Sequence, residues 1–433
     1  VLSQEDNETL TRVGEGSPMG ALLRTHWHPA VRAERLIADG APVRVRLLGQ
    51  DFVAFRATDG RVGFFDEACP HRRTSLALAR NEGNGLRCIF HGWKFDVSGK
   101  TVDIPTEPPH RCAALMRDVP LRHYPVRERG GVIWVYLGDA SDVAPFPDFE
   151  FTALPDAHVE VRVAIVHCNW FQGLEAVLDS AHLGVLHRGQ LDRKDTGHVA
   201  LTQGVATNFS LASRHTSPRF EIAPTAYGFR EAALRELDDG QTFAKIREFV
   251  APYYSFLPGF PEIQSRRMLV AAVPIDDEWC AQWCIYYRLD QPFEDGEIEA
   301  RWQNAGPDKN NFYDRREGPS THWGQDRAAM AAGHFSGFPG RHIYEEDFVV
   351  QEAMGPIVDR TREYLGSSDK VIIHTRRAMI GAARALQAGR PGWGRPSSDI
   401  DYRAIRACAV FLPPGQAWQG VDARILGPNQ RTT

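Results

Sequence analysis

Two short motifs limit this chain more than any other feature. Cys69-Pro70-His71 and Cys88-Ile89-Phe90-His91 each set a thiolate beside an imidazole, with a 16-residue gap between them. Each pair fits on one tight loop. Two such loops facing each other can hold two irons, with both thiolates on one and both imidazoles on the other. One Cys-x-His alone says little. The two halves together, the second running on as Gly92-Trp93-Lys94-Phe95-Asp96, are specific for a [2Fe–2S] cluster. Gly92 lets the backbone turn close to the metal. A zinc site could use the same four residues. Zinc usually stabilises small modules, however, and this motif sits inside a longer strand-rich stretch.

About 90 residues later comes a second constellation, running from Asp179 through His182 to His187. Residues 171–182 read as a helix, which puts Asp179 and His182 on one face. His182 and His187 are five apart, about 140° around an ideal helix, so a straight helix could not bring them to one metal. Gly184 between them offers a helix stop. Two histidines and one carboxylate with open positions are the ligand set of non-haem Fe(II) oxygenases. The carboxylate must come from elsewhere. The best candidate is Asp347 in Glu345-Glu346-Asp347-Phe348-Val349-Val350-Gln351-Glu352. The apolar residues after it bury part of this helix, and a buried carboxylate needs a partner. The residues alone do not separate Asp347 from Glu346 or Glu352.

The remaining sequence fits an ordinary enzyme. The 433 residues suffice for two domains. The net charge of −5 argues against nucleic-acid binding, and no apolar run reaches membrane-spanning length. The first 13 residues are polar and acidic, unlike a secretory signal. Ser3 before Glu5, Asp6 and Glu8 reads as a capped helix start. Cys112, Cys168, Cys280, Cys284 and Cys408 lack metal-ligand spacing and read as small buried hydrophobes. An odd number of cysteines at irregular spacing suits a reducing cytoplasm. Residues 1–41 read as an N-terminal segment with a helix, 42–140 as a strand-rich domain that carries the cluster, and 148–433 as a catalytic domain. The polar stretch 138–147 is the expected boundary. A helix is expected over 345–365, and a Pro- and Gly-rich tail from 391 is expected to wrap the surface. Strand runs followed by helices give an α+β class.

The two motifs together resemble the Rieske non-haem iron oxygenases, α subunit, in the branch of the phthalate dioxygenases, phenoxybenzoate dioxygenases and aromatic O-demethylases. Residues 22–30 (LLRTHWHPA), 169–187, 354–360 and 365–369 carry the resemblance together with the cluster loops. It implies an all-β Rieske domain followed by a helix-grip-like antiparallel sheet with helices. It implies a mononuclear Fe(II) on His182, His187 and Asp347. It implies a homotrimer, possibly stacked as a hexamer, in which one subunit's cluster feeds its neighbour's iron. Asp179 is then the bridge, touching His182 in its own chain and His91 of the partner subunit; a carboxylate bonded to both imidazoles orients them and links the redox centres. Many relatives carry asparagine three or four residues before this aspartate. Here Ala176 and Glu175 stand at those positions, so no such role carries over. Asn169 and Gln172 are candidates to line the iron site, although Asn169 can equally cap the helix.

The expected function is that of a terminal oxygenase component. It would use O2 and electrons from NADH, passed through a separate flavin/iron-sulfur reductase, to hydroxylate, dihydroxylate or O-demethylate an aromatic substrate. No G-x-G-x-x-G follows a strand in this chain, so the nicotinamide chemistry belongs to that partner. An acidic substrate needs a basic anchor, for which Arg188, Arg193, Lys194, Arg230 and Arg247 are candidates. The alternative is a Rieske electron-transfer protein without oxygenase activity, against which the nearly 300 residues after the boundary weigh.

Overall fold

Runs rich in Val, Ile, Phe and Tyr form ten short strands in the first 140 residues. In the computed structural model, which describes residues 1–191, 211, 214–258, 265–313 and 317–424, these are β1 (Trp27–Arg32), β2 (Val43–Leu47), β3 (Gln50–Arg56), β4 (Val62–Asp66), β5 (Arg80–Glu82), β6 (Gly85–Arg87), β7 (Lys94–Asp96), β8 (Thr101–Asp103), β9 (Val126–Arg129) and β10 (Val132–Tyr136). They make three small antiparallel sheets, ordered β1-β10-β9, β2-β3-β4 and β5-β6-β7-β8. The expected turns at Gly60 and Gly99 lie between strands, both with positive φ.

Side-chain alternation along β3 and β4 divides two cores. Val53, Phe55 and Phe65 point into a small core around Cys69, Leu76, Cys88, Phe95 and Leu121. Phe52, Ala54 and Phe64 point the other way, into the large core. The period of two in a strand produces this split. The large core runs without a break through Ala144, Phe149 and Phe151 into the second half of the chain.

That half holds an eight-stranded antiparallel sheet of β11 (Val159–Val166), β12 (Arg219–Pro224), β13 (Gly228–Glu236), β14 (Thr242–Val250), β15 (Tyr254–Leu257), β16 (Arg266–Pro274), β17 (Cys280–Arg288) and β18 (Cys408–Leu412). The order is β11-β17-β16-β15-β14-β13-β12, with β18 beside β14. The sheet is the α+β arrangement expected. The tail differs from expectation. It supplies β18, and Trp418 and Val421 pack on the face of the sheet that carries Ala232, Ala244 and Ile246. Its apolar run Cys408–Leu412 outweighs the Pro and Gly residues around it.

The helices α1 (Gln4–Thr11) and α2 (Pro18–Arg24) begin at serine caps, Ser3 and Ser17. α3 (Pro109–Asp118) lies in the cluster half, and α4 (Trp170–Leu178) and α5 (Arg188–Leu191) follow β11. α6 (Ile343–Ala353) stops well before residue 365, because Gly355 (φ +86°) and Pro356 end it. α7 (Lys370–Gln387) is tied to α1 by Arg384–Asp6 at 2.7 Å. Glu175 of α4 accepts from Arg360 at 2.8 Å and Arg376 at 2.6 Å, joining α4 to α7. Removing one member of such a buried set strands the others. No helix among the described residues is long and apolar enough to cross a membrane. Cys168, Cys280, Cys284 and Cys408 are buried, while Cys112 is half-buried.

Candidate active site: a cluster lobe and a histidine–carboxylate triad

The two cluster loops are closed by short backbone bonds. Arg73 N donates to Cys69 O at 2.9 Å, and Gly92 N donates to Cys88 O at 3.0 Å. Gly92 has φ +75°, and a Cβ there would meet Pro105 at 2.6 Å, so this turn requires glycine. Cys69 and Cys88 are buried in the small core, whereas His71 is exposed and His91 half-exposed. The two imidazoles face each other with centroids 4.5 Å apart, and Trp93 stacks on His71 at 4.7 Å. Burial and the neighbouring Cys88 push the Cys69 thiol up to about 11. Thiols in so apolar a pocket need a cation to become ligands. His91 Nδ1 is buried without a hydrogen-bond partner among the described residues. These four donors fit a cluster with its thiolate end inside and its imidazole end at the surface. Exposed Ile89 and Phe90 flank that end.

α4 ends at Leu178, four residues short of the expected helix. Asp179 is extended (ψ 120°) and leaves the helix, so Asp179 and His182 do not share a helical face. His182 starts a separate 3₁₀ turn, His182–Gly184. The break at Asp179, rather than at Gly184, lets His182 and His187 converge. Their ring centroids are 5.2 Å apart. Asp347 of α6 meets both, with Oδ1 at 3.4 Å from His182 Nε2 and 3.2 Å from His187 Nε2. One donor atom from each of the three lies within 4.8 Å of the others. Asp179 Oδ2 stands 3.6 Å from His182 Nδ1, and its Oδ1 accepts from Ala181 N at 2.6 Å. Burial pushes the Asp179 carboxyl up, but His182 and the nearby amides outweigh this and hold it below its ordinary value.

Glu346 lies beneath the triad, fully buried, and accepts from His187 Nδ1 at 2.7 Å. Its other oxygen accepts from Ser336. Burial alone would lower the His187 imidazole; Asp347 and Glu346 overcome it and push it up to about 9. A site that holds a proton so strongly has excess negative charge, which is the field that a divalent cation fits.

Known families match both halves of the chain. The family described as "Rieske [2Fe-2S] domain" matches residues 26–125, and "LigXa C-terminal domain like" matches 135–431. The chain is 37% identical to the phthalate 4,5-dioxygenase oxygenase subunit of Pseudomonas putida, over 98% of this chain and 96% of that one. It belongs to the Rieske non-haem iron oxygenases. The oxygenase is also 34% identical to the 3-chlorobenzoate-3,4-dioxygenase oxygenase subunit of Comamonas testosteroni, over 98% of each chain. The terminal oxygenase of carbazole 1,9a-dioxygenase from Novosphingobium sp. KA1 has the same fold, with a TM-score of 0.54 at 20% identity, covering 88% of this chain and 99% of that one. The chain is therefore an oxygenase component and not an electron carrier alone.

Two expected site residues of the oxygenase are used elsewhere. Asn169 caps α4 by accepting from Phe171 N, and donates to Thr11 O at 2.9 Å and Asp277 O at 2.6 Å. Gln172 donates to Gly355 O at 2.8 Å and accepts from Val358 N at 2.8 Å. They sit about 15 and 10 Å from Asp179 along the chain's helical rise. Both are structural clasps whose polar atoms are engaged by backbone. Asn169→Ala is expected to lower stability by about 2–4 kcal/mol, since it strands buried carbonyls and removes a cap. Chemical denaturation measures this; unchanged stability with lost turnover would return Asn169 to the iron site.

Three of the five basic candidates lie among the described residues, each with a neighbour. Arg188 lies over the Phe335 ring at 5.9 Å. Arg230 pairs with Glu248 at 2.8 Å and holds the tail through Gln419 O and Val421 O. Arg193 and Lys194 lie outside the described residues. Arg247 is buried, pairs with Glu231 at 2.7 Å and donates to Ser180 Oγ at 3.0 Å, next to Asp179. Glu175, at one of the positions where many relatives carry asparagine, serves the Arg360–Arg376 clasp. Arg235 and Lys245 are also buried. Their sequence signal is charge inside two strand-like runs, Gly228–Glu236 and Thr242–Val250.

Proposed function

We propose that His182, His187 and Asp347 hold the mononuclear iron of this oxygenase, and that Cys69, His71, Cys88 and His91 hold its [2Fe–2S] cluster. The convergence of three donors on one point, over a buried carboxylate that orients His187, carries the reading. When bound, the cluster supplies single electrons and the iron supplies open positions for O2.

Each residue then has a physical task. Asp347 neutralises charge and faces both imidazoles. Glu346 fixes His187 with Nδ1 protonated, so that Nε2 carries the lone pair toward the metal. Asp179 faces His182 Nδ1 from 3.6 Å, a looser contact of the same kind. It is also the connection to His91 of the partner subunit in a homotrimer, or in a stacked hexamer. The exposed imidazole end of the cluster, with Ile89 and Phe90 around it, supports transfer across a subunit boundary. A separate reductase supplies the electrons from NADH. The substrate class is aromatic, with a carboxylate or aryl ether group, in line with the phthalate and chlorobenzoate named for the relatives.

The test is an iron and acid-labile sulfide count per chain on anaerobically purified protein. About three irons to two sulfides support both sites. About two irons, with no further Fe(II) bound on titration, would leave only the cluster. Glu346→Ala is expected to weaken Fe(II) binding by roughly 10- to 100-fold at unchanged cluster content. Fe(II) titration of the cluster-containing variant measures this, and an unchanged affinity would remove Glu346 from the metal's support.

A further inference from the structure

Four charged side chains share one face of the catalytic sheet. Glu231 lies opposite Arg247, Ala233 opposite Lys245 and Arg235 opposite Phe243. Directly paired residues project to the same side, so Glu231, Arg235, Lys245 and Arg247 project together. The residues between them, Ala232, Leu234, Ala244 and Ile246, fill the core on the opposite face.

This shared face looks toward the triad. Arg247 donates to Leu178 O and Ser180 Oγ on either side of Asp179. The charge of Asp179 reaches Glu231. Further along the same face, through the pairs Phe249–Ser255, Ser255–Val270 and Val270–Cys284, comes Cys284, which feels the charge of Asp347.

Among the described residues, the charges on this face do not balance. All four groups are at most 8% exposed. The one carboxylate among them, Glu231, accepts from Arg247 through Oε2, and its Oε1 has no hydrogen-bond partner among the described residues. Arg235 donates through Nε to His215 O, but its Nη1 is buried without a partner among the described residues. Lys245 has no hydrogen-bond or ion-pair partner among the described residues, and burial with the two guanidiniums pushes it down to about 7. An unpaired buried ammonium is costly to a fold. One that persists beside an active centre fits an anion that arrives from outside.

We propose that Lys245 and Arg235 form a carboxylate-binding site for the oxygenase's aromatic substrate, placing its acid group on the inner face of the sheet and its ring toward the triad. This rests on the oxygenase reading above and narrows it to ring acids, at the expense of neutral aryl ethers.

The full-length protein is tested by calorimetric binding of phthalate and benzoate, with benzamide as the neutral probe. Wild type is expected to prefer the carboxylates. Lys245→Met is expected to weaken carboxylate binding by roughly 10- to 100-fold and leave benzamide unchanged. Lys245→Arg, which keeps the charge, is expected to restore most of it. A purely structural lysine would give a different signature. Its removal would lower the melting temperature and weaken both kinds of probe, whereas here Lys245→Met is expected to melt at or above the wild-type temperature because a stranded charge is gone. Carboxylate binding that is absent in wild type, or unchanged in Lys245→Met, overturns the anchor. The oxygenase reading fails separately: it falls if the iron count lacks the mononuclear site, whatever the calorimetry shows. Neutral arenes turned over without preference would sink the anchor alone.

Discussion

Asp179→Asn is expected to keep both metal centres and lose at least about 100-fold of substrate-dependent O2 consumption. The change is isosteric, so packing is preserved. The hydrogen bonds are not. Asp179 uses one oxygen for the Ala181 amide and turns the other toward His182 Nδ1. With the His182 Nε2 lone pair given to the metal beside Asp347, the proton would sit on Nδ1. Asparagine has one oxygen to share between two donors. Whichever it serves, its NH2 faces the other donor. The negative charge beside His182 is lost as well. The readouts are iron and sulfide per chain, the visible spectrum, and O2 uptake with reductase and substrate. Normal uptake in the variant would mean that Asp179 is no bridge.

His182→Ala is expected to take iron from about three to about two per chain, leave the cluster colour intact and abolish turnover. The triad has three protein donors, and this removes the histidine whose carboxylate neighbour, Asp179, stands 3.6 Å off rather than in hydrogen-bond contact. His187, held by Glu346, and Asp347 remain. Two donors with excess negative charge still attract a cation, but weakly. The cluster lobe has its own core and does not touch this change. Iron retained at the wild-type ratio would remove His182 from the ligand set.

The cluster was legible because thiolates and imidazoles at that spacing have few other uses. The histidine pair was legible for the same reason, but not how the chain brings the pair together. That depends on where α4 ends, and Asp179 ends it by turning extended, with its carboxylate engaged by the Ala181 amide and facing His182, local contacts that the apolar period does not encode. Asp347 could not be told from Glu346 by residue type. The helix turns them to different sides of one histidine: Asp347 to Nε2, Glu346 to Nδ1. Asn169 and Gln172 sit near the motif in sequence, yet α4 carries them away from the triad in space. Lys245 and Arg235 lie in two strands, β14 and β13, far from either motif, where a charge reads as an ordinary solvated residue. Only the pairing register shows that they stand on the side facing the triad.

The strands β3 and β4 act as a shared wall, with Phe52 and Phe64 serving one core and Phe55 and Phe65 the other. This bears on how such a protein can diverge over time. Substitutions that reshape the loops around the thiolates and imidazoles are absorbed on one side of the wall, so the cluster lobe can be retuned while the catalytic sheet keeps its shape. The sheet can likewise accommodate new substrates without unsettling the cluster lobe. Residues within the wall itself have no such freedom, since each neighbour along a strand answers to a different core.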